Sequence, residues 1–180
     1  EAYHITKNKE YAEIAEEIFS YVLMDMRHEK GGFFSAEDAD SEGEEGTFYL
    51  WTKQELFKIL GEKDGSVISK IYSFSKNGNF LDEASGKRNG GNIPFLSKSK
   101  SILAKEIKID LDELNNIIEC SRKKLFEKRK ERIHPLKDDK ILTDWNGLMI
   151  ASLAKGGMVL NNEHYIKEAI NAADFIHEHL

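Results

Sequence analysis

The chain has 180 residues, 40% hydrophobic and 10% aromatic, enough for one ordinary globular domain with a substantial core. Its 32 acidic against 26 basic residues leave a net charge of -6, so neither nucleic acid nor an anionic membrane is expected as a partner. No apolar run approaches membrane length, Glu1-Ala2-Tyr3-His4 lacks the character of a signal peptide, and a single cysteine, Cys120, excludes an internal disulfide or Cys-x-x-Cys site, so a cytoplasmic location is expected.

From Asn8 to Arg27 the residues Tyr11, Ile14, Ala15, Ile18, Val22 and Met26 recur at steps of three and four, which predicts an amphipathic helix. Gly31-Gly32 ends it. Phe33-Phe34 and Phe48-Tyr49-Leu50-Trp51 then read as two strands of a β-hairpin spanning 29–52, closed over a loop too long for a tight turn. Thr52 with Glu55 forms a capping box, predicting a short helix from Lys53 to about Leu60, and Asp64 caps a second to about Phe74. Glycine pairs between Ser75 and Ser97 predict a loop or irregular hairpin, without a phosphate-binding pattern. A short helix is expected over 97–108, and Asp110 caps a longer one to about Arg132, stopped by Pro135. Its basic C-terminal half reads as a solvated face, and Cys120 within it as a packing residue. From Leu148 to Leu160 the chain is apolar or small nearly all round, which predicts a helix enclosed by neighbours. Asn161-Asn162 turns it into an amphipathic helix from Glu163 to Leu180, making an αα-hairpin.

The segment from Gly31 to Thr52 holds six carboxylates and no cation. Were it extended, Asp38, Asp40, Glu42 and Glu44 would share a face at intervals of about 6.7 Å. Like charges at that distance repel by about 0.6 kcal/mol in water and about 2.5 kcal/mol at an effective dielectric near 20. An exposed loop tolerates the first figure. A partly buried one needs internal bases, a bound cation, a cationic or polyhydroxylated ligand, or protonation of some of its members.

Two stretches carry a resemblance: Gly31 to Gly43 with the aromatic run ending at Trp51-Thr52, and Asp138-Asp139-Lys140-Ile141-Leu142-Thr143-Asp144-Trp145-Asn146-Gly147-Leu148. They resemble the thioredoxin-domain-containing family of spermatogenesis-associated protein 20 and its bacterial relatives. The resemblance implies a mainly α fold, part of an (α/α)6 toroid of the six-hairpin glycosidase and N-acylglucosamine 2-epimerase type, with a small β-hairpin insertion. Residues 1–180 would then be one internal fragment of that toroid, the helices of 110–180 alternating outer, inner and outer. The thioredoxin-like domain of the family would lie outside it, and no redox activity carries over.

In such a toroid, carboxylates and aromatic rings at one rim handle sugars. The reading that follows is a carbohydrate-handling site, glycosidase-like or epimerase-like, for a small-molecule sugar, with no cofactor and no metal. Asp38, Asp40 and Asp144 are the candidate catalytic carboxylates, because glycoside hydrolysis uses two carboxyl groups about 5 to 9.5 Å apart. Phe34, Trp51, Trp145 and Asn146 are the candidate substrate-binding residues, with helix capping for Asp144 and core packing for the tryptophans as the structural alternatives. The competing reading is a non-catalytic scaffold or binding module. Calcium could stabilise it, since Asp38-x-Asp40-x-Glu42-Gly43 copies the first half of an EF-hand loop, although Tyr49 stands where the closing Glu belongs. Uncovered helix faces would leave self-association open.

Overall fold

The computed structural model describes residues 1–82 and 85–179, and the expected helix end at Leu180 lies outside them. The fold is mainly α, as expected, with seven α-helices and six two-residue strands among the described residues. The chain is divided into two compact units, Glu1–Asp38 with Lys137–Leu180, and Ala39–Leu136.

In the first unit, α1 (Ala2–Thr6) leads into α2 (Lys9–Tyr21), whose N-cap Asn8 accepts from the Glu10 amide, and α2 runs on into a π-turn, Val22–Met26. Lys137 Nζ donates to the Asp25 carbonyl in that turn. The chain leaves it with Arg27 bridged to Phe33, and β1 (Ala36–Glu37) pairs antiparallel with β6 (Lys137–Asp138). The apolar stretch forms α6 (Thr143–Leu160), joined through Asn161, at φ 54°, to α7 (Glu163–His179). Gly156 and Gly157 make this packing close. A Cβ on Gly156 would stand 2.4 Å from the Phe19 ring of α2, and one on Gly157 2.4 Å from Ile166 of α7. Phe19, Phe33, Leu153, Tyr165, Ala169 and Ala172 form the core.

Within this unit α6 is covered on one side only. Leu148 and Met158 are each 70% exposed and Trp145 53%, so the expected enclosure is not met by the described residues. α2 likewise leaves Tyr11, Ile14 and Ile18 exposed.

The second unit departs from the expected hairpin. Phe33-Phe34 and Phe48-Tyr49-Leu50-Trp51 do not pair. Instead the acidic segment folds on itself: β2 (Asp40–Ser41) pairs with β3 (Glu44–Glu45), Asp40 opposite Glu45. The turn is the tight kind judged too short for this loop, with Glu42 at φ 58° and Gly43 at φ 81°, the positive angles that match the twist of a two-residue hairpin. β4 (Trp51–Thr52) pairs with the distant β5 (Gly91–Asn92).

The Thr52 and Glu55 capping box then starts α3 (Lys53–Ile71), two helices run together across a non-helical Gly61, at φ 77°, so the expected first helix ends at Leu60 as read. Gly61 makes the break; Asp64 lies within the helix after it. α4 (Lys100–Ile107) and α5 (Leu111–Arg129) follow, the latter capped by Asp110 as expected. Their apolar faces meet α3 around Leu56, Ile68, Ile71, Leu103, Leu114 and Ile118. Cys120 is exposed on α5 rather than packed.

Candidate functional site

The candidate residues divide between the units: Asp40 and Trp51 belong to the second, and Phe34, Asp38, Asp144, Trp145 and Asn146 to the first.

In the second unit, Asp40 lies on the rim of a cavity of about 720 Å³, lined also by Gly43, Glu44, Glu45, Asp82, Ser85 and Asn89. That volume falls within the roughly 300–1,000 Å³ of small-molecule sites. Among the described residues the lining is acidic and polar, with no Lys or Arg. Asp40 and Glu44 are exposed, which relieves the repulsion that a buried row would suffer. Asp82 Oδ1 accepts from the Ser85 amide at 2.6 Å, and the Ser85 side-chain and main-chain hydrogen bonds hold its carboxyl below the ordinary carboxylate range, so it stays ionised at neutral pH. The EF-hand-like order of acids is spent on the hairpin. Among the described residues, no three His, Cys, Asp or Glu side chains are grouped to hold a metal ion.

Trp51 is buried, at 4% exposure, and Arg132 lies 4.0 Å over its ring. This is the packing alternative for that tryptophan, with the stacked face already occupied. Arg132 Nη1 reaches the carbonyls of Thr47, Phe48 and Leu50 at 3.1, 2.9 and 2.7 Å, and Nη2 pairs with Glu55 at 3.3 Å. Burial pulls its pKa below the ordinary value, opposed by the Glu55 carboxylate and reinforced by nearby Arg129. The solvated-face reading holds for Lys123, Lys128 and Lys130, each paired with a Glu on its own surface. It does not hold for Arg129, which stacks over Phe48 and Tyr49, or for Arg132. A cationic helix end reads as dipole complementation in sequence. The aromatic run 48–51 in need of a lid was the signal that could have singled these two arginines out.

In the first unit, Asn146 is 1% exposed, and its amide acts as a strand partner. Its Oδ1 accepts from the Phe33 amide at 2.7 Å, and its Nδ2 donates to the carbonyls of Phe33 and Leu142 at 3.0 and 2.9 Å. Its amide hydrogens are thereby used by main chain, so Asn146 positions the Gly-Gly-Phe-Phe segment. Phe34 is half-buried, edge-on to His28 at 5.6 Å. Asp144 is exposed in the first turn of α6, where its Oδ1 accepts from the next residue's amide at 2.9 Å; the N-cap is Leu142, without a side-chain cap. Trp145 beside it is half exposed, with ring surface free for contact. Asp38 is exposed at the end of β1, next to the partly buried Glu37, which receives the Tyr21 hydroxyl at 2.9 Å and Lys137 at 3.8 Å. Asp138 is held below the ordinary carboxylate range, chiefly by the side-chain hydrogen bond from Lys140.

No family model matches the chain. It is similar over its whole length to spermatogenesis-associated protein 20 of Homo sapiens, at 32% identity, and of Rattus norvegicus, at 31%. It is 28% identical over 94% of its length to an uncharacterized protein of Caenorhabditis elegans. The chain is a homologue of these proteins and spans 25% of the length of each.

Proposed function

We propose that this chain is part of a carbohydrate-handling protein and that the acidic cavity of the second unit is a sugar subsite. The observation that carries the reading is the lining itself: Asp40, Glu44, Glu45, Asp82, Ser85 and Asn89 around about 720 Å³, free of basic side chains among the described residues. Vicinal hydroxyl groups donate to ionised carboxylates, and amide and hydroxyl groups complete the pattern as donors and acceptors. An ionised Asp82 suits binding rather than proton donation. A glycosidase-like or epimerase-like step is the finer part of the proposal, with Asp40 as the candidate acid in the second unit and, in the first unit by itself, Asp38 and Asp144 as candidate acids with the half-exposed Trp145 as a stacking face. So are the (α/α) toroid, to which the α6 and α7 hairpin lends support, self-association through the bare faces of α2 and α6, and a cytoplasmic setting. Because the relatives are about four times longer, the activity of a whole protein of this kind is likewise proposed.

The competing scaffold reading draws on one fact: Trp51 and Asn146 are both spent on packing. Titrating the chain with glucose, mannose and N-acetylglucosamine, followed through the amides of Gly43 and Ser85, decides between them. Saturable shifts for at least one sugar are expected, weakened about tenfold by Asp40→Asn or Glu45→Gln, the loss of one charge-assisted hydrogen bond. No saturation for any of the three, with the chain folded, leaves the scaffold.

A further inference from the structure

A second cavity, of about 320 Å³, lies in the first unit between the Arg27–Gly31 turn and the C-terminal half of α7. Its walls carry both signs of charge: Arg27 and Lys30 on the turn, with Glu29 beside them, and Asp174 and Glu178 on the helix, with Asn171 one turn earlier. Opposite charges at a solvated surface commonly close on one another, as Lys123 and Glu119 do here at 3.4 Å. Among the described residues, no ion pair within 4.0 Å joins Lys30, Glu29, Asp174 or Glu178 to any partner.

Arg27 is also preset. Glu168, in α7 and 6% exposed, stands with its Oε2 3.0 Å from Arg27 Nε as an ion pair, and that oxygen has no hydrogen-bond partner among the described residues, so the charge of Arg27 is matched from behind the cavity it lines. An arginine paired with a buried carboxylate loses less freedom when its guanidinium meets an oxyanion than a free one does. The turn itself is pressed against α7. A Cβ on Gly31 would stand 2.7 Å from the Asn171 carbonyl, and one on Gly32 2.8 Å from the Phe175 ring, so these glycines set the depth of the cleft.

We propose that this cleft binds a zwitterionic α-amino acid, its carboxylate on Arg27 and Lys30 and its ammonium on Asp174 and Glu178. Three acids against two bases favour a ligand with an added positive charge, so L-lysine is the probe. The site shares no residue with the acidic cavity of the second unit, and the sugar reading stands or falls separately.

The test is a titration of the 180-residue chain with L-lysine, followed through the Gly31 and Asn171 amides, with acetate and butylamine in parallel. Saturation near about 1 mM is expected for L-lysine, with at least tenfold weaker binding for Lys30→Gln and for Asp174→Asn. Both positions are exposed, so folding is preserved and is verified by circular dichroism. The proposal is overturned if L-lysine fails to saturate, if either variant binds as well as the parent, or if acetate or butylamine alone binds as tightly.

Discussion

Both units depend on one buried asparagine that ties a glycine-bearing loop to a distant element, and they differ in what surrounds the tie. In the first unit, Asn146 on α6 holds Phe33 across 113 positions of sequence, with a small core and with Leu148, Met158, Ile14 and Ile18 left in solvent. In the second, Asn92 accepts from the Ser75 amide at 2.8 Å and donates to the carbonyls of Trp51 and Gly90 at 3.1 and 3.0 Å. There the tie sits beside a fuller core and the Arg132 clamp. In the second unit one guanidinium, Arg132, holds three carbonyls of the loop beside the tie, whereas in the first the supports around Asn146 are separate, the Arg27 bridge to Phe33 and the pairing of β1 with β6. An apolar helix can carry its own backbone hydrogen bonds and still lack the neighbours that would cover it.

The largest expected effect breaks the two ties. Asn146→Leu and Asn92→Leu each leave buried main-chain groups unpaired, at a cost of about 3 kcal/mol. The two tryptophans report separately, because Trp145 belongs to the first unit and Trp51 to the second. Denaturant unfolding of a Trp145→Phe background should show Asn92→Leu shifting the Trp51 transition more than Asn146→Leu does, with the reverse in a Trp51→Phe background. Equal shifts in both backgrounds would mean that the units unfold together.

Arg132→Met sharpens the comparison within the second unit. It uncovers one face of Trp51 and removes the donor to three carbonyls, for about 2–3 kcal/mol, and Trp51 emission should move to longer wavelength. Arg132→Lys should restore little, because an ammonium on a flexible stem reproduces neither the fork nor the stacked plane.

The smallest effect concerns acid. The folded pKa of Asp138 lies below its ordinary 3.8, so its stabilising share is present above that pH and is lost as pH falls through the folded value. Asp138→Asn should melt slightly lower than the parent near neutral pH, and the gap should close below about pH 4. A gap that persists into acid would show that charge is not its cause.

The helices were largely legible because each signal is local. The Thr52 and Glu55 box, the Asp110 cap and the stripe beginning at Tyr11 depend on neighbours within one or two turns. The strands were not. Phe33 and Trp51 carry the same aromatic character in sequence, yet one bridges to Arg27 and the other pairs with Asn92, because strand partners are set by contacts far along the chain. In the candidate site, the acids were identified as a group, and Asp40 reaches a cavity through the turn at Glu42-Gly43 that no extended reading anticipates. Arg132 was read as part of a solvated face and Glu168 went unremarked, since a charged residue in or beside a helix looks alike whether it faces water or a buried partner.

Composition and periodicity alone determined a mainly α chain, its helix starts, and an acidic stretch that must be solvated, paired or liganded, since these follow from local hydrogen bonding and charge. Tertiary structure decided which polar side chains are consumed in holding the fold, because the partners of Asn146, Asn92 and Arg132 are carbonyls and amides brought close only when distant segments pack.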